Sequence, residues 1–457
     1  MKNYHTNREI AQKHYSSKIA KKGLPARLVY NTISDQLILD GNAKQNLATF
    51  VATYMEPEVS KLMGEVANKN MIDKDEYPQT ADIENKCIEI IANLWNAPDI
   101  ENIIGCSTTG SSEACMLAGL AMKRNMQLKK GNKPFTPNLI TGINTQICWE
   151  KFCNYWDVEM RQVPLEKGRY IIDPVEAVKF CDENTIGVVG ILGSTFTGEY
   201  EPIEKLNKEI EKFNKKNGLE IPIHVDAASG GFVAPFIQKN LKWDFRLKWV
   251  KSINVSGHKF GLVYPGVGWA IWKDKKDLPE ELVFNVNYLG GKMPTFTLNF
   301  SKSASQVIGQ YYNFVRLGFE GYKKIHEESR EIANNIAKNL QKYNLFDIIS
   351  EGNDIPVVSW KIKDNVKFNL FLLSERLGYN GWQVPAYTLP KNLTDVVVMR
   401  IVIREGFSYE MADLLLKDIE KSIEYCKANA EALEHTKSQI LVINRNFVAQ
   451  ILNLSIS

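Results

Sequence analysis

The sequence predicts an α/β fold in which a mostly parallel, seven-stranded sheet forms a large domain and a smaller α+β domain follows. Short runs rich in Ile and Val, closed by Gly, Ser or Asp, recur through the middle of the 457-residue chain. Such runs are typical of strands that are buried on both faces of a parallel sheet. Helical patterns alternate with these runs, which is the order expected of an α/β sheet. The strand count comes from a family resemblance described below.

Individual elements follow from apolar spacing. The strands predicted in the middle region are 138–143, 186–192, 221–225 and 251–255. Helices are predicted over 114–123, 330–344 and 409–430, and strand-like runs over 357–362 and 396–403. We therefore expect three parts: an N-terminal arm with some helix (1–44), a large domain (45–328) and a small C-terminal domain with an extended tail (329–457).

Composition and charge exclude several classes of function. With 44% hydrophobic and 24% charged residues, the chain has the composition of a soluble globular protein. A net charge of +3 gives no general case for nucleic-acid binding. Residues 1–30 nevertheless carry seven basic residues and one acid. This basic arm is most simply a solvated segment, although docking to an acidic partner, a neighbouring subunit or a membrane surface stays open.

Cysteine usage and hydropathy indicate the compartment. Seven cysteines are scattered without a CxxC pair, and histidine occurs six times, so no metal-binding pattern is found. This distribution is typical of reduced thiols in a cytosol. The longest charge-free apolar run, 260–272, contains Pro265 and is too short to span a bilayer. We expect a cytoplasmic protein without a transmembrane segment.

Three features could carry chemistry. Asp226 follows the predicted strand 221–225, and small residues come directly after it. Lys259 lies in SGHKFG (256–261), after the predicted strand 251–255. The segment STTGSSEA (107–114) opens a predicted helix, where backbone N–H groups and the helix dipole favour an anion. Taken singly, each is more often a helix cap, a solvated turn lysine or a plain N-cap.

In combination the three features are much more specific. A lysine whose ammonium pKa is depressed can form a Schiff base with an aldehyde. A carboxylate at a strand end can pair with a protonated ring nitrogen. An anion cradle, an acid and a lysine, in that order in one α/β domain, indicate a site for pyridoxal 5'-phosphate.

Long segments of the chain also match a known family. They are LDGNAKQNLATF (39–50), NKNMIDKDEYPQ (68–79), TGSSEACM (109–116), TQICWEKF (145–152), YWDVE (155–159), CDENTIGVV (181–189), HVDAASGGF (224–232), WDFRL (243–247), SGHKFG (256–261), ELVFNVNYLGG (281–291), QVPA (383–386) and VVMRI (397–401). The chain resembles the bacterial glutamate decarboxylases, which belong to the group II pyridoxal-phosphate-dependent decarboxylases. The resemblance covers about 37–430 and implies the aspartate-aminotransferase-like (type I) fold, with its seven-stranded sheet.

The resemblance implies roles for individual residues. Those expected to hold the cofactor are Ser111, Ser112, Gln146, Thr195, Asp226, Ser256, His258, Lys259 and, from the partner subunit of a dimer, the residue at the position of Ser301. Those expected to hold glutamate are Thr49, Phe50, Asn70 and Asp73 at the distal carboxylate and Arg404 at the α-carboxylate. Tyr288 lies on a segment similar to the family's mobile loop. His258, Lys259 and Tyr288 are the candidates for protonating Cα.

The implied activity is that of a carboxy-lyase, glutamate decarboxylase. L-Glutamate would give 4-aminobutanoate (GABA) and CO₂ through a Schiff base with the cofactor. One proton would be consumed per turnover, which suits a role in acid resistance. The implied assembly is a homodimer at least, with a hexamer as the larger form known in the family.

Two regions depart from the family pattern. The basic arm matches poorly, and the chain continues past Ala430 without the histidine-bearing tail of acid-regulated members. Acid-gated activity is therefore not implied. The C-terminal extension has apolar spacing but no Trp and few basic residues, which disfavours calmodulin binding and favours packing against its own subunit or a partner.

Other functions remain open at this point. A decarboxylase acting on aspartate is the nearest alternative, whereas Thr49, Phe50 and Asp73 disfavour an aromatic substrate. A catalytically silent relative is disfavoured by the intact Lys259 and Asp226. An aminotransferase is disfavoured by the HVDAASGG and SGHKFG segments.

Overall fold

The computed structural model of the protein describes residues 18–19, 21–287 and 293–429. Tyr288, the C-terminal extension from residue 430 and much of the basic arm lie outside the described residues. The chain divides after Asn46 into two compact units. In the first unit, the helix α1 (Ala26–Leu37) and a 3₁₀ turn (Ala43–Gln45) are the regular elements of the described residues.

The main sheet of the second unit has seven strands. They are β1 (Ile104–Thr108), β2 (Asn138–Gly142), β3 (Glu159–Val163), β4 (Thr185–Ile191), β5 (Ile223–Asp226), β6 (Val250–Ser256) and β7 (Gly268–Trp272). Their order across the sheet is β1-β7-β6-β5-β4-β2-β3. The pairs from β3 to β6 are parallel, and β7 is antiparallel to both of its neighbours. The mostly parallel sheet and its four predicted strands, which are β2, β4, β5 and β6, are thus confirmed.

Helices connect these strands and continue beyond them. They are α2 (Pro57–Glu65), α3 (Pro78–Leu94), α4 (Ser111–Lys130), α5 (Ile147–Tyr155), α6 (Pro174–Lys179), α7 (Ile203–Asn217), α8 (Ala234–Ile237), α9 (Ser305–Lys342), α10 (Leu370–Gly378) and α11 (Tyr409–Ala428). Short 3₁₀ turns occur at Gly230–Phe232, Lys275–Asp277, Glu280–Leu282 and Lys391–Leu393. A two-stranded ribbon pairs β8 (Phe284–Val286) with β9 (Met293–Thr295). In the described residues, no helix is both long enough and apolar enough to cross a membrane.

The core of the main sheet explains why its strands read as continuous apolar runs. Every residue of β4 and β5 is buried, because helices cover both faces. Val188, Val225 and Ile253 have no exposed surface. Burying a side chain of this size contributes about 1.5–3 kcal/mol to folding. The carboxyl ends of β4, β5 and β6 consequently meet on one rigid edge.

A four-stranded antiparallel sheet follows, in the order β10-β11-β13-β12. Its strands are β10 (Phe346–Glu351), β11 (Val357–Ile362), β12 (Ala386–Thr388) and β13 (Val397–Val402). It has its own buried core, which includes Trp360, Met399 and Leu415. The predicted domain boundary at 328/329 falls inside α9, which is interrupted instead at Gly318 by a positive φ of 58°. The division of this unit into domains stays a prediction.

Candidate active site

Lys259 and Asp226 meet at the carboxyl edge of the main sheet. Asp226 is the last residue of β5, and Lys259 follows β6, the next parallel strand. The Lys259 Nζ lies 3.3 Å from Ser229 Oγ and 5.3 Å from the centre of the Phe50 ring. Removal from water lowers the pKa of Lys259, and the nearby charge of Asp226 opposes this effect. A lowered ammonium pKa leaves more of the amine neutral and nucleophilic.

A cavity of about 360 Å³ opens beside these two residues. This volume lies within the range of small-molecule and cofactor sites. Its lining residues are Thr109, Gly110, Ser111, Ser112, Glu113, Asn144, Gln146, Cys148, Ile191, Gly193, Thr195, Asp226, Ala228, Ser229, Ser256, His258 and Lys259. Eight of the nine predicted cofactor residues are therefore brought together on one wall or another of the same cavity.

One end of the cavity is the N-terminus of α4. The helix begins at Ser111, no side chain caps it at Gly110, and its first residues, Ser111 and Ser112, line the cavity. The loop can pack onto β7 because Gly268 has no Cβ; one would lie 2.5 Å from the Gly110 carbonyl carbon. Glu113 fixes the loop by accepting hydrogen bonds from the Thr109 backbone N and hydroxyl, at 2.8 and 2.9 Å. The arrangement suits a bound phosphate.

Two buried polar atoms of the cavity lining have no hydrogen-bond partner within the described residues. Ser256 Oγ and His258 Nδ1 both belong to cavity-lining residues, and neither has a hydrogen-bond partner in the described part of the chain. Burial, with the adjacent Lys259 charge, lowers the pKa of His258 to about 4. Because buried polar atoms in native proteins are nearly always satisfied, these orphans fit an oxygen-rich ligand. The N-terminus of α4, the carboxylate of Asp226 and the amine of Lys259 together fit pyridoxal phosphate.

Asp226 is held by several hydrogen-bond donors. Trp149 Nε1 donates to its Oδ2 at 3.0 Å, and Asn254 Nδ2 donates to its Oδ1 at 3.1 Å. The backbone N of Ala228 donates to Oδ1 at 3.2 Å. The orientation of Asp226 is therefore set before any ligand arrives.

Asn254 joins Asp226 to two further groups. Its side-chain amide also donates to Ser111 Oγ at the phosphate end of the cavity. Its Oδ1 lies 2.7 Å from His224 Nε2, which must then carry the ring proton. The other ring nitrogen, Nδ1, lies 2.8 Å from Ser252 Oγ. Burial lowers the pKa of His224 to about 4, so the ring stays neutral near pH 7.

The predicted substrate residues fall into two places. Thr49 Oγ1 accepts from Val51 N at 3.1 Å, and Phe50 lies by Lys259. Asn70 lies elsewhere, beside Ser301, with its Nδ2 3.3 Å from the Ser301 hydroxyl. Asp73 follows in the same turn, its N–H bonded to the Asn70 carbonyl at 3.1 Å. In this chain, Asn70, Asp73 and Ser301 do not line the cofactor cavity.

The two arginines near β13 differ in their surroundings. Arg404 donates from Nη1 to Val51 O at 2.6 Å and, with Lys259, lines a separate small cavity. Burial lowers the pKa of Arg404 to about 10. Arg400, which sequence reasoning missed, donates to the carbonyls of Thr195 and Ala48. Its guanidinium also lies 4.5 Å from the centre of the Phe50 ring.

Other contributors were missed although they lie within quoted motifs. Trp149 is in TQICWEKF, Ser229 in HVDAASGGF and Arg400 in VVMRI. Asn254 had a detectable signal, because a polar residue in the middle of an apolar buried strand needs hydrogen-bond partners. Its actual partners could not be read from the strand pattern.

Comparison with known proteins gives consistent matches. Residues 22–363 match the family model described as the pyridoxal-dependent decarboxylase conserved domain. A glutamate decarboxylase of Aliivibrio fischeri is 53% identical over 405 residues, which cover 87% of each chain. Glutamate decarboxylase beta of Listeria innocua is 50% identical over 428 residues, covering 92% of each. The solved glutamate decarboxylase of Lactobacillus brevis superposes with a TM-score of 0.86 at 49% identity, covering 90% of this chain and 94% of that one.

Proposed function

The chain belongs to the pyridoxal-dependent decarboxylase family, and we propose on this premise that it converts L-glutamate to 4-aminobutanoate and CO₂. Relatives that cover most of the chain at 50% and 53% identity carry the name glutamate decarboxylase. The observation that carries the proposal is the convergence of Lys259, Asp226 and the α4 N-terminus on one cavity. The reaction is that of a carboxy-lyase and takes up one proton.

The cofactor of this family is pyridoxal phosphate, which, when bound, accepts the electron pair left by the departing carboxylate. Its phosphate fits the α4 N-terminus, with the hydroxyls of Ser111, Ser112 and Ser256 within the same cavity. Gln146 is held still by its hydrogen bond from Cys148 N at 2.6 Å, which suits a group lying on the ring face. Thr195 lies on the same cavity wall.

Asp226 and Lys259 have complementary tasks. Asp226, fixed by Trp149 and Asn254, would pair with the protonated ring nitrogen of a cofactor placed against it. Lys259 supplies an amine whose pKa is lowered by burial, so that it can attack an aldehyde. Lys259 and His258 both line the cavity and are the candidates within the described residues for returning a proton to Cα. Tyr288, the third predicted donor, lies outside the described residues.

An arginine would hold the α-carboxylate of the substrate in the orientation that favours its departure. Arg404 was predicted for this role and stays a prediction. We propose Arg400 instead, because it contacts Thr195 and Phe50, which are both predicted site residues. A guanidinium matches a carboxylate well.

Asn70, Asp73 and Ser301 favour a homodimer. They form a cluster of their own, away from the cofactor cavity of the same chain. We propose that each subunit presents this cluster to its partner's cavity, where Asn70 and Asp73 would meet the distal carboxylate and Ser301 the phosphate. Hexamers would then be assemblies of such dimers.

The proposed location is the cytoplasm. All seven cysteines are free, and six of them are buried. Free thiols in this number are typical of a reducing compartment. A role in acid resistance would follow from proton uptake alone.

A product assay tests the proposal. The purified holoenzyme is incubated with glutamate, aspartate or an aromatic amino acid between pH 4 and 8, and CO₂, amine and keto acid are measured. Release of CO₂ with 4-aminobutanoate from glutamate is expected. Turnover of aspartate without glutamate would move the substrate assignment, and keto acid formation would indicate an aminotransferase.

A further inference from the structure

A second cavity, of about 470 Å³, lies at the amino ends of the parallel strands, opposite the carboxyl ends that border the first cavity. It is bordered by one face of α4, the N-terminal ends of β4, β5 and β6, and the end of the antiparallel β7. Parallel sheets normally bind ligands at their carboxyl ends, as the first cavity does. This second cavity, although comparable in size to the first, therefore has no part in the chemistry proposed for Lys259.

The lining of this cavity is rich in lysine, with four lysines and two acids. Three of the lysines are already ion-paired: Lys129 with Glu220, Lys248 with Glu211 and Lys276 with Asp274. Lys251 is half-buried and forms no ion pair within the described residues, although Asp277, Asp274 and Glu220 act on it at longer range. A half-buried ammonium without a direct partner favours an anionic ligand.

The apolar wall contains donors that lack acceptors. Trp272 is 1% exposed, and its indole N–H has no hydrogen-bond partner among the described residues. Trp249 Nε1 is likewise buried and unpaired. A buried donor left unsatisfied costs about 1–3 kcal/mol. Met122 and Met126 complete the wall with adaptable apolar surface.

One buried acceptor of this cavity is also unpaired. Asp277 Oδ2 has no hydrogen-bond partner within the described residues, and burial raises the pKa of this carboxyl while Lys251 opposes the effect. A protonated Asp277 would add a donor to the lining, whereas an ionised one would offset the charge of Lys251.

We propose that this cavity binds a small organic anion with an apolar or aromatic body. Its anionic group would pair with Lys251 and accept from the indole N–H of Trp272, and its body would lie against Met122 and Met126. Both sets of unpaired donors would then be satisfied by one molecule.

The cavity is also connected to the cofactor site. Ser252 lines it, and the Ser252 hydroxyl is hydrogen-bonded to His224, which is bonded to Asn254, which is bonded to Asp226. Each link is 3.1 Å or shorter and buried. This chain of hydrogen bonds runs along β5 and β6, from the amino ends of the strands to their carboxyl ends. We infer that occupancy of the second cavity alters the setting of Asp226, and this part rests on the proposed function.

Binding is tested on the full-length holoenzyme with 8-anilinonaphthalene-1-sulfonate, an aromatic anion whose fluorescence rises in apolar surroundings. Loaded cofactor keeps the probe out of the first cavity. Lys251→Met should weaken binding by about tenfold, because a charge-assisted contact is lost. Trp272→Phe keeps the ring but removes the donor and should weaken binding by about fivefold. Lys208→Met, on the surface of α7 and paired with Glu204, is the matched control and should bind as the wild type does.

The outcomes separate clearly. Equal affinities in the wild type and Lys251→Met, with unchanged melting temperatures, would overturn the site. Inorganic phosphate that displaces the probe at low concentration would mean that the anion alone is recognised, which would overturn the apolar part of the proposal. Since Trp272 is buried and its variant could misfold, Lys251→Met carries the decision.

Coupling is tested by the cofactor's absorption band. Saturating probe should shift this band in the wild type but not in Ser252→Ala, where the hydrogen-bond chain is cut. No shift in the wild type would overturn the coupling and leave the site standing. A holoenzyme that binds probe but releases no CO₂ from glutamate would overturn the proposed function and not the cavity.

Discussion

The side-chain amide of Asn254 lies 3.1 Å from Oδ1 of Asp226 and also donates to Ser111, so one residue ties the ring end of the cofactor cavity to its phosphate end. It sits on β6, the strand that leads to Lys259. Two of the groups that are proposed to grip the cofactor, Asp226 and Ser111, are therefore linked through one buried amide. Loss of the Asn254 side chain would therefore disturb both Asp226 and Ser111.

Replacing Asn254 with Ala should reduce kcat about ten- to a hundredfold, since a buried hydrogen bond to a charged group is worth roughly 1.5–3 kcal/mol. The absorption band of the bound cofactor and its pH titration should shift as well, because Asp226 loses a donor. Asn214→Ala is the control for burial: its side chain bonds the Ile221 backbone at 3.0 and 3.1 Å, away from the site. It should lower stability but leave the cofactor spectrum unchanged. An unaltered spectrum and kcat in Asn254→Ala would refute this role.

The arginine assignment leads to a paired experiment. Arg400→Lys should raise KM for glutamate and lower kcat, by about a hundredfold together in kcat/KM, because a lysine cannot reproduce a bidentate grip on a carboxylate. Arg404→Lys should have a much smaller effect, since Arg404 lines the separate small cavity and not the one that contains Thr195. Steady-state kinetics on both variants decide between them. The reverse order of effects would restore Arg404 as the carboxylate ligand.

Hybrid dimers test the proposed sharing of sites. Lys259→Ala and Asp73→Ala should each be inactive as homodimers. After the two are unfolded together and refolded, mixed dimers contain one cavity with both an intact lysine and an intact partner cluster. Activity should return to about a quarter of the wild-type value, as random pairing of a two-fold dimer requires. Absence of recovery, with mixed dimers shown to form, would place Asp73 in the cavity of its own chain.

His326 gives the stability a defined pH dependence. It packs against the rings of Phe236 and Tyr322, and burial lowers its pKa to about 3. An unfolded histidine binds its proton near pH 6.5. Between pH 3 and pH 6.5 the unfolded state binds more protons than the folded state. The contribution of His326 to folding stability is therefore complete above pH 6.5 and is lost as the pH falls toward 3.

His326→Phe removes this titration. Between pH 7 and pH 5, the free energy of unfolding of the wild type should fall relative to that of the variant by about 2 kcal/mol. Urea unfolding at each pH measures the difference, and the interval from pH 7 to pH 8 serves as the baseline. A difference that stays constant from pH 7 to pH 5 would show that His326 is not protonated on unfolding in this range.

The sequence was most informative where a local pattern has one structural outcome. Buried runs became β2, β4, β5 and β6, and strand-end residues such as Asp226 and Lys259 met because parallel neighbours end on the same edge. Long-range partners were harder to predict. Arg400 and Thr195 are 205 positions apart, and only the fold brings them together. Sequence spacing alone did not reveal which of the two faces the site: Arg400 lies within β13, and Arg404 follows two residues after the strand ends.

The second cavity shows another limit. Its lysines and tryptophans come from α4, the amino end of β6 and the loop before it, the end of β7 and a 3₁₀ turn. Taken singly, each is interpreted as an ordinary surface or core residue. Their shared excess of unpaired donors exists only after folding. Residue-by-residue interpretation therefore finds sites that one motif dominates and overlooks sites assembled from several elements.

The central claim, that Lys259 supports removal of the α-carboxylate of glutamate, is tested most directly by product analysis of wild type and Lys259→Ala. The wild type with pyridoxal phosphate should release CO₂ and 4-aminobutanoate in equal amounts from L-glutamate, without 2-oxoglutarate. Lys259→Ala should show neither product nor the absorption band of lysine-bound cofactor. Formation of 2-oxoglutarate by the wild type, or equal CO₂ release by Lys259→Ala, would contradict the account.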